Sequence, residues 1–324
     1  MKARAPKKPK FKMSKAQRKK LLIRALPLYA MLILPVIWYL VFCYLPMGGL
    51  VIAFEKYNVF VGFGSPWLTN NEGELDLFGH FRRFLSDEYF WRAFLNTVRL
   101  GFWNTLFCFP APIILSLLFN EMRHSKIKKI SQTASYLPYF VSTVACVSIL
   151  TMMLSRNNGL INNIISALGG SRINFLVEPD YFVVIYVMLN LWRSVGWGTI
   201  IYTAAISAID PALYDAAAID GAGRFRQMIY ITLPSIKPQI IIMLILAIPG
   251  IINADFEEVL LLQQDQNLVV SETVATYIYN RGIGSAYPQY DYTTAIGLFY
   301  SIITMGLVLG ANKLADKTSK IGLF

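Results

Sequence analysis

Residues 205–238 read AISAIDPALYDAAAIDGAGRFRQMIYITLPSIKP. They form a polar island between two long apolar segments. Asp210 can cap a helix, and Pro211 suits the first helical position, where a missing N–H costs nothing. The helix expected from there runs through Leu213, Ala216, Ala217 and Ile219 and stops at Gly221, which can take the left-handed conformation beyond a helix end. A second short helix follows, with Phe225, Met228, Ile229 and Thr232 on one face and Arg224, Arg226 and Gln227 on another. Pro234 is expected to end it. Two short helices at an angle, with small alanines on one face, make a compact knob. Small side chains let another backbone come close, so the knob is shaped to dock into something.

The composition around this island is that of a polytopic membrane protein. The chain has 324 residues, 55% hydrophobic and only 15% charged, with a mean hydropathy of +0.48. A net charge of +11 invites a nucleic-acid reading, but much of it sits in the first 24 residues, from Lys2 to Arg24. A basic segment just before an apolar span is more simply a topology determinant and a contact for anionic membrane lipids. The following apolar run is long and lacks a small-residue cleavage site, which argues against a cleavable signal. Cys43, Cys108 and Cys146 each fall in apolar segments, so neither a disulfide framework nor a metal site is expected.

In chain order, residues 1–24 are a basic cytoplasmic segment, of which 13–24 suit a short amphipathic helix on the inner surface. Residues 25–314 hold six expected spans: 25–45, 94–119, 133–154, 181–204, 240–262 and 292–314. Each is long enough for a hydrocarbon core of roughly 30 Å. Within the second, Asn96, Arg99 and Asn104 should face protein or water rather than lipid. The loop at 156–180 carries Ile161, Ile164, Ile165 and Leu168, which suit a short interfacial helix. Residues 315–324 are a cytoplasmic tail. With the N-terminus inside, the outer loops 47–93, 156–180 and 264–291 hold few basic residues and most of the acids. The positive-inside rule therefore agrees with six spans, two cytoplasmic termini and a cytoplasmic knob.

Here the sequence resembles a family. Asp215-Ala216-Ala217, three residues, Gly221, nine residues, then Ile231-Thr232-Leu233-Pro234 is similar to the signature cytoplasmic loop of ABC-importer permeases. In that family the loop carries a coupling helix that plugs into a groove on the ATP-hydrolysing subunit. The usual first residue is Glu; Asp215 keeps the charge and shortens the reach by one methylene. The resemblance assigns ATPase coupling to Asp215, Ala216, Ala217, Asp220, Gly221, Arg224, Leu233 and Pro234. An ordinary helical hairpin on a membrane surface explains this long spacing less well. The stretches 44–67, 95–100, 135–144, 191–217 and 294–301 also look like the carbohydrate branch, maltose-transporter-like and resembling the LplB type. The resemblance implies an all-α integral membrane fold, a type I ABC importer permease with six transmembrane helices and a cytoplasmic coupling loop. It also implies a second permease subunit, two ATPase subunits that bind ATP and Mg, an extracytoplasmic solute-binding protein, and a bacterial cytoplasmic (inner) membrane.

No segment reads as catalytic. There is no glycine-rich phosphate loop ending in Gly-Lys, so no cofactor is expected in this chain. His80 and His124 lie on opposite expected sides and cannot share a metal. The acids of the fifth span suit a pore lining better than a glycosidase pair. Counting back from Asp215, the family's sugar-contacting positions fall on Asn190, Arg193, Ser194 and Trp197. These recur at i, i+3, i+4 and i+7, one helix face. Trp197 alone reads equally as packing or interfacial anchoring. Arg193 is harder to dismiss, because an arginine deep in a span needs water, an acid or a substrate. It stands where the maltose type has a neutral residue, which suggests an acidic sugar. The other wall falls on Asn253 and Asp255, beside a helix break expected at Pro249-Gly250. Asp255 reads equally as a salt-bridge partner of Arg193 or of the partner permease. Glu257 and Glu258 are expected at the outer mouth, in solvent. The function implied is half of a translocation path for an oligosaccharide. The competing class is a nucleotide-independent secondary transporter or channel, which gives no reason for the knob. A membrane-embedded glycosyltransferase is a weaker rival, with no aspartate cluster to support it.

Overall fold

The computed structural model describes residues 15–62 and 64–319. The basic cluster of residues 2–12 and the tail from 320 onward lie outside the described residues. Sixteen α-helical pieces follow one another within the described residues: α1 (Lys15–Tyr39), α2 (Gly79–Leu85), α3 (Glu88–Cys108), α4 (Pro110–Glu121), α5 (Ser125–Tyr136), α6 (Thr143–Leu154), α7 (Leu160–Ala167), α8 (Pro179–Ser207), α9 (Pro211–Ile219), α10 (Arg224–Gln227), α11 (Leu233–Ser235), α12 (Lys237–Ala247), α13 (Phe256–Leu262), α14 (Leu268–Ser271), α15 (Val274–Arg281) and α16 (Tyr290–Ser319). Among the described residues there are only two isolated β-bridges, both in the loop before α2.

Among the described residues four helical stretches are long and apolar enough to cross a membrane: Arg24–Phe54, Glu88–Glu121, Pro179–Ser207 and Tyr290–Lys317. Two further stretches pass only as bent pairs, Ser125–Phe140 with Thr143–Leu154 at 101° and Arg224–Ser235 with Lys237–Ile252 at 61°. The third expected span is therefore not one rod. Pro138 lies in a 3-10 turn, Val141 is extended, and Ser142 starts α6 afresh by accepting a hydrogen bond from the Ala145 N–H at 3.3 Å. The expected basic surface helix at 13–24 is likewise not separate, since α1 runs from Lys15 into the first span without a break.

The fifth expected span is also in pieces. A 3-10 turn over Ile248–Ile252 contains Pro249 and Gly250, as the sequence suggests. The full break comes later, at residues 253–255, before α13 begins. At its other end the change of direction falls at Ile236, not at Pro234. A π turn over Met228–Thr232 widens the helix just before Pro234, so the ring and missing N–H fit without ending it.

α8 is the axial element. It packs against α3, α4 and α5, and its Phe182, Tyr186 and Leu189 join Leu100, Cys146 and Val259 in one buried cluster. Gly196 permits the closest of these approaches, because a Cβ there would fall 1.9 Å from the Ser135 carbonyl oxygen. A second cluster, around Phe84, Phe90, Tyr277, Tyr292 and Ile296, ties α2, α3, α15 and α16 together at the far end from the knob. α1 lies outside both, and its large apolar side chains from Leu26 to Tyr39 are exposed. In lipid such exposure carries no penalty.

Candidate functional site

The knob forms as its residues dictate. The Asp210 carboxylate accepts a hydrogen bond from the Ala212 N–H at 2.9 Å, and Pro211 opens α9. At the other end Gly221 has φ +78°, its N–H donates to the Ala218 carbonyl at 3.1 Å, and the Ala222 N–H donates to the Ala217 carbonyl at 2.8 Å. That pair of bonds is the Schellman closure, which needs a left-handed residue at this place. The Tyr214 and Thr232 hydroxyls, 2.9 Å apart, pin α9 to the second arm. The outward face carries apolar side chains left uncovered among the described residues: Ile219 is 87% exposed, and Phe225 and Tyr230 are also exposed. Asp215, Ala216, Asp220, Leu233 and Pro234 are exposed too, whereas Ala217 is half-buried. Arg224 turns inward, donating to the Glu121 carbonyl at 3.3 Å and lying 3.7 Å from its carboxylate, so it tethers the knob to the end of α4.

In mid-bundle the structure brings Asn190 and Arg193 together on a residue expected in solvent. Glu258 is 1% exposed, and its two carboxylate oxygens accept hydrogen bonds from Asn190 Nδ2 and from Arg193 Nη1. Arg193 also donates through Nη2 to the Thr143 hydroxyl at 3.2 Å. The expected pairing of Arg193 with Asp255 is not formed. Asp255 instead caps α13, accepting from the Glu258 N–H at 3.2 Å, while its own N–H donates to the Tyr186 hydroxyl at 2.9 Å. Being a cap fixes Asp255 at the break and turns Glu258, three residues on, toward α8. Glu257 remains exposed, as expected. Thr143 is the first residue of α6, so the positive end of a twelve-residue helix also lies at this cluster.

Ser194 and Trp197 face a neighbouring cavity of about 350 Å³, whose wall includes Asn104, Thr105, Tyr202 and Met243. Among its lining residues none is charged. Trp197 lies parallel to Tyr139, ring centroids 4.7 Å apart and planes 2° apart, with Phe140 edge-on at 5.5 Å. Hydroxyls, an amide and aromatic plates together suit a polyhydroxylated ligand with C–H faces. Asn253 does not join this wall. It lines a separate cavity with Val274, Tyr300 and Thr304, against α15 and α16. Asn96, as expected, faces protein, donating to the Val269 and Glu272 carbonyls at 2.9 and 3.0 Å. Among the described residues no group of three or more His, Cys, Asp or Glu side chains could hold a metal ion.

Glu258 and Thr143 were the residues missed. The signal for Glu258 was the Asp255-Phe256-Glu257-Glu258 run, an acidic cap followed three residues later by Glu, as at a helix start. Thr143 follows a Ser that caps α6, a start signal hidden inside an apolar run.

Residues 109–318 match the family model described as "Binding-protein-dependent transport system inner membrane component". The chain is 42% identical to the polygalacturonan/rhamnogalacturonan transport system permease protein YteP of Bacillus subtilis (strain 168), over 96% of this chain and 95% of that one. It is also 42% identical to protein LplB of the same organism, over 92% of this chain and 91% of that one. A solved structure, described as a bacterial alginate ABC transporter in complex with alginate pentasaccharide-bound periplasmic protein, superposes with a TM-score of 0.83. It is 37% identical and covers 94% of this chain and 99% of that one.

Proposed function

Since the chain belongs to the family of binding-protein-dependent transport system inner membrane components, we propose that it forms half of an import path selective for acidic oligosaccharides. It is a carbohydrate ABC-importer permease, a transport component rather than an enzyme, and ATP hydrolysis belongs to partner subunits. Membership sets aside the nucleotide-independent transporter. The acidic reading rests on one observation: Arg193, next in the chain to Ser194 of the polar and aromatic cavity wall, is held by a side chain that a uronate could replace. A carboxylate of the sugar offers the two acceptor oxygens that Glu258 offers now, and a guanidinium binds such groups through paired hydrogen bonds. The helix end at Thr143 adds a second attraction for an anion. The names of YteP and of the alginate importer, both concerned with acidic polysaccharides, support the same choice.

In this reading the knob docks on one of two ATPase subunits, which bind ATP and Mg. A second permease completes the path, a solute-binding protein delivers the sugar, and both termini lie in the cytoplasm of a bacterial cell. Closure of the ATPases prefers one arrangement of the spans, and the knob carries that preference to α4 and α8. Arg193 exchanges Glu258 for substrate as α8 and α13 move. The test is substrate-stimulated ATP hydrolysis by the assembled complex. Binding protein loaded with a uronic-acid oligosaccharide should stimulate it several-fold more than a neutral one of equal length; equal stimulation would overturn the acidic reading.

A further inference from the structure

On the side of α3 away from the cavity of Trp197, a groove of about 390 Å³ runs between α3 and α8. Its wall is Arg99, Trp103 and Phe107 on one helix and Asp180, Val184 and Met188 on the other. Trp103 and Phe107 stack with centroids 6.0 Å apart and planes 17° apart, giving the groove a flat apolar side. Arg99 and Asp180 are both exposed, and neither side chain makes a hydrogen bond or ion pair among the described residues. A charged pair left without partners at the end of an apolar groove needs an occupant.

The position in the membrane selects one. Asp180 is the second residue of α8, and α8 ends at Ser207 just before the knob, so Asp180 lies at the membrane face opposite the knob. The helical stretch Glu88–Glu121 has 34 residues. At ~1.5 Å per residue it spans about 51 Å, so about 10 Å projects beyond each side of a core of roughly 30 Å. Arg99, about 16 Å from Glu88, then sits roughly 6 Å below the core surface, within reach of the headgroup layer for its long side chain. We infer that this groove holds one zwitterionic phospholipid, its phosphate on Arg99, its ammonium on Asp180 and an acyl chain along Trp103, Phe107 and Met188. The charges fit that headgroup in both signs. An anionic lipid would satisfy Arg99 and be repelled by Asp180.

The assembled complex, held in bilayer discs with equal amounts of phosphatidylethanolamine and phosphatidylglycerol, is transferred to mild detergent and its bound lipids are counted by native mass spectrometry. Wild type should retain phosphatidylethanolamine, and Arg99→Gln and Asp180→Asn should each lower that retention about tenfold. Met188→Trp, which fills the apolar stretch and leaves both charges in place, should lower it as well. Unchanged retention in all three variants, or equal retention of phosphatidylglycerol by wild type, would overturn the inference. So would release of the second permease by Arg99→Gln with lipid retention intact, because the groove would then be a subunit contact.

Discussion

Arg193 and Glu258, 65 residues apart in sequence, meet as a buried ion pair between α8 and α13. Removing one partner strands the other in a low-dielectric interior. Arg193→Met leaves the Glu258 carboxylate, 2% exposed, with only Asn190 as a donor, and should destabilise the complex by about 3–5 kcal/mol. The double substitution Arg193→Met/Glu258→Leu should recover most of that loss while abolishing any preference for acidic over neutral sugars. Thermal unfolding of the purified complex measures the first effect and stimulated ATP hydrolysis the second. A double variant as unstable as the single one would show that the pair is not what holds this contact.

The knob separates coupling from folding. Gly221→Val forces a branched residue into a left-handed turn and should cost the knob roughly 1–2 kcal/mol. Ile219→Asp changes only an exposed apolar tip and should leave the fold alone. Ala217 is half-buried, so Arg there would disturb the knob itself. Both Gly221→Val and Ile219→Asp should lower ATPase-subunit retention in pull-downs while membrane insertion persists. Full retention with Ile219→Asp would exclude the apolar tip from the contact.

Arg224 has a different role from its neighbours on the knob. Its pair with Glu121 is largely solvent-exposed, so Arg224→Ala should change stability by under about 1 kcal/mol. The tether joins the knob to α4, however, and its loss should reduce transport per ATP hydrolysed. Simultaneous counting of sugar imported and phosphate released by reconstituted vesicles checks this. An unaltered ratio would reduce the tether to an incidental surface contact.

A pH effect is expected at the opposite face. Burial pushes the Asp87 carboxyl up, but hydrogen bonds from the Tyr277 hydroxyl at 2.6 Å and the Tyr89 N–H at 2.9 Å, with Arg281 nearby, outweigh it. The result lies below the ordinary value of 3.8. A depressed carboxyl contributes stability that is fully present above its unfolded value and lost as pH falls through the folded one. Tyr277→Phe removes a bond to the charged form and should move the acid midpoint of unfolding upward. Melting curves collected between neutral and strongly acid pH would show it, and coincident midpoints for wild type and variant would refute it.

The long apolar runs and the caps at Asp210 and Gly221 were legible because each depends on neighbours within one or two turns. The breaks were less so. Apolar content alone does not distinguish a straight span from α5 and α6 meeting at 101°, although Pro138 and the Ser142 cap marked the place. Which acid meets Arg193 was hidden for a geometric reason. Successive helical residues point about 100° apart, so starting α13 just after its Asp255 cap sends Glu257 outward and Glu258 inward. The separation of Asn253 from Ser194 and Trp197 follows from the same break, since a residue outside both helical pieces aligns with neither.

The parallel stack of Trp197 on Tyr139 gives the molecule an optical gauge of its own. Tyr139 rides on the corner between α5 and α6, whereas Trp197 rides on α8. Any sliding of that corner past α8 must pull the two rings apart and change the polarity around the indole. In a chain stripped of its five other tryptophans, emission from Trp197 would therefore shift in wavelength as the transporter turns over, with no dye attached. Sugar entering the adjoining cavity would reach the same ring from its free side, so occupancy and corner movement would be written into one spectrum.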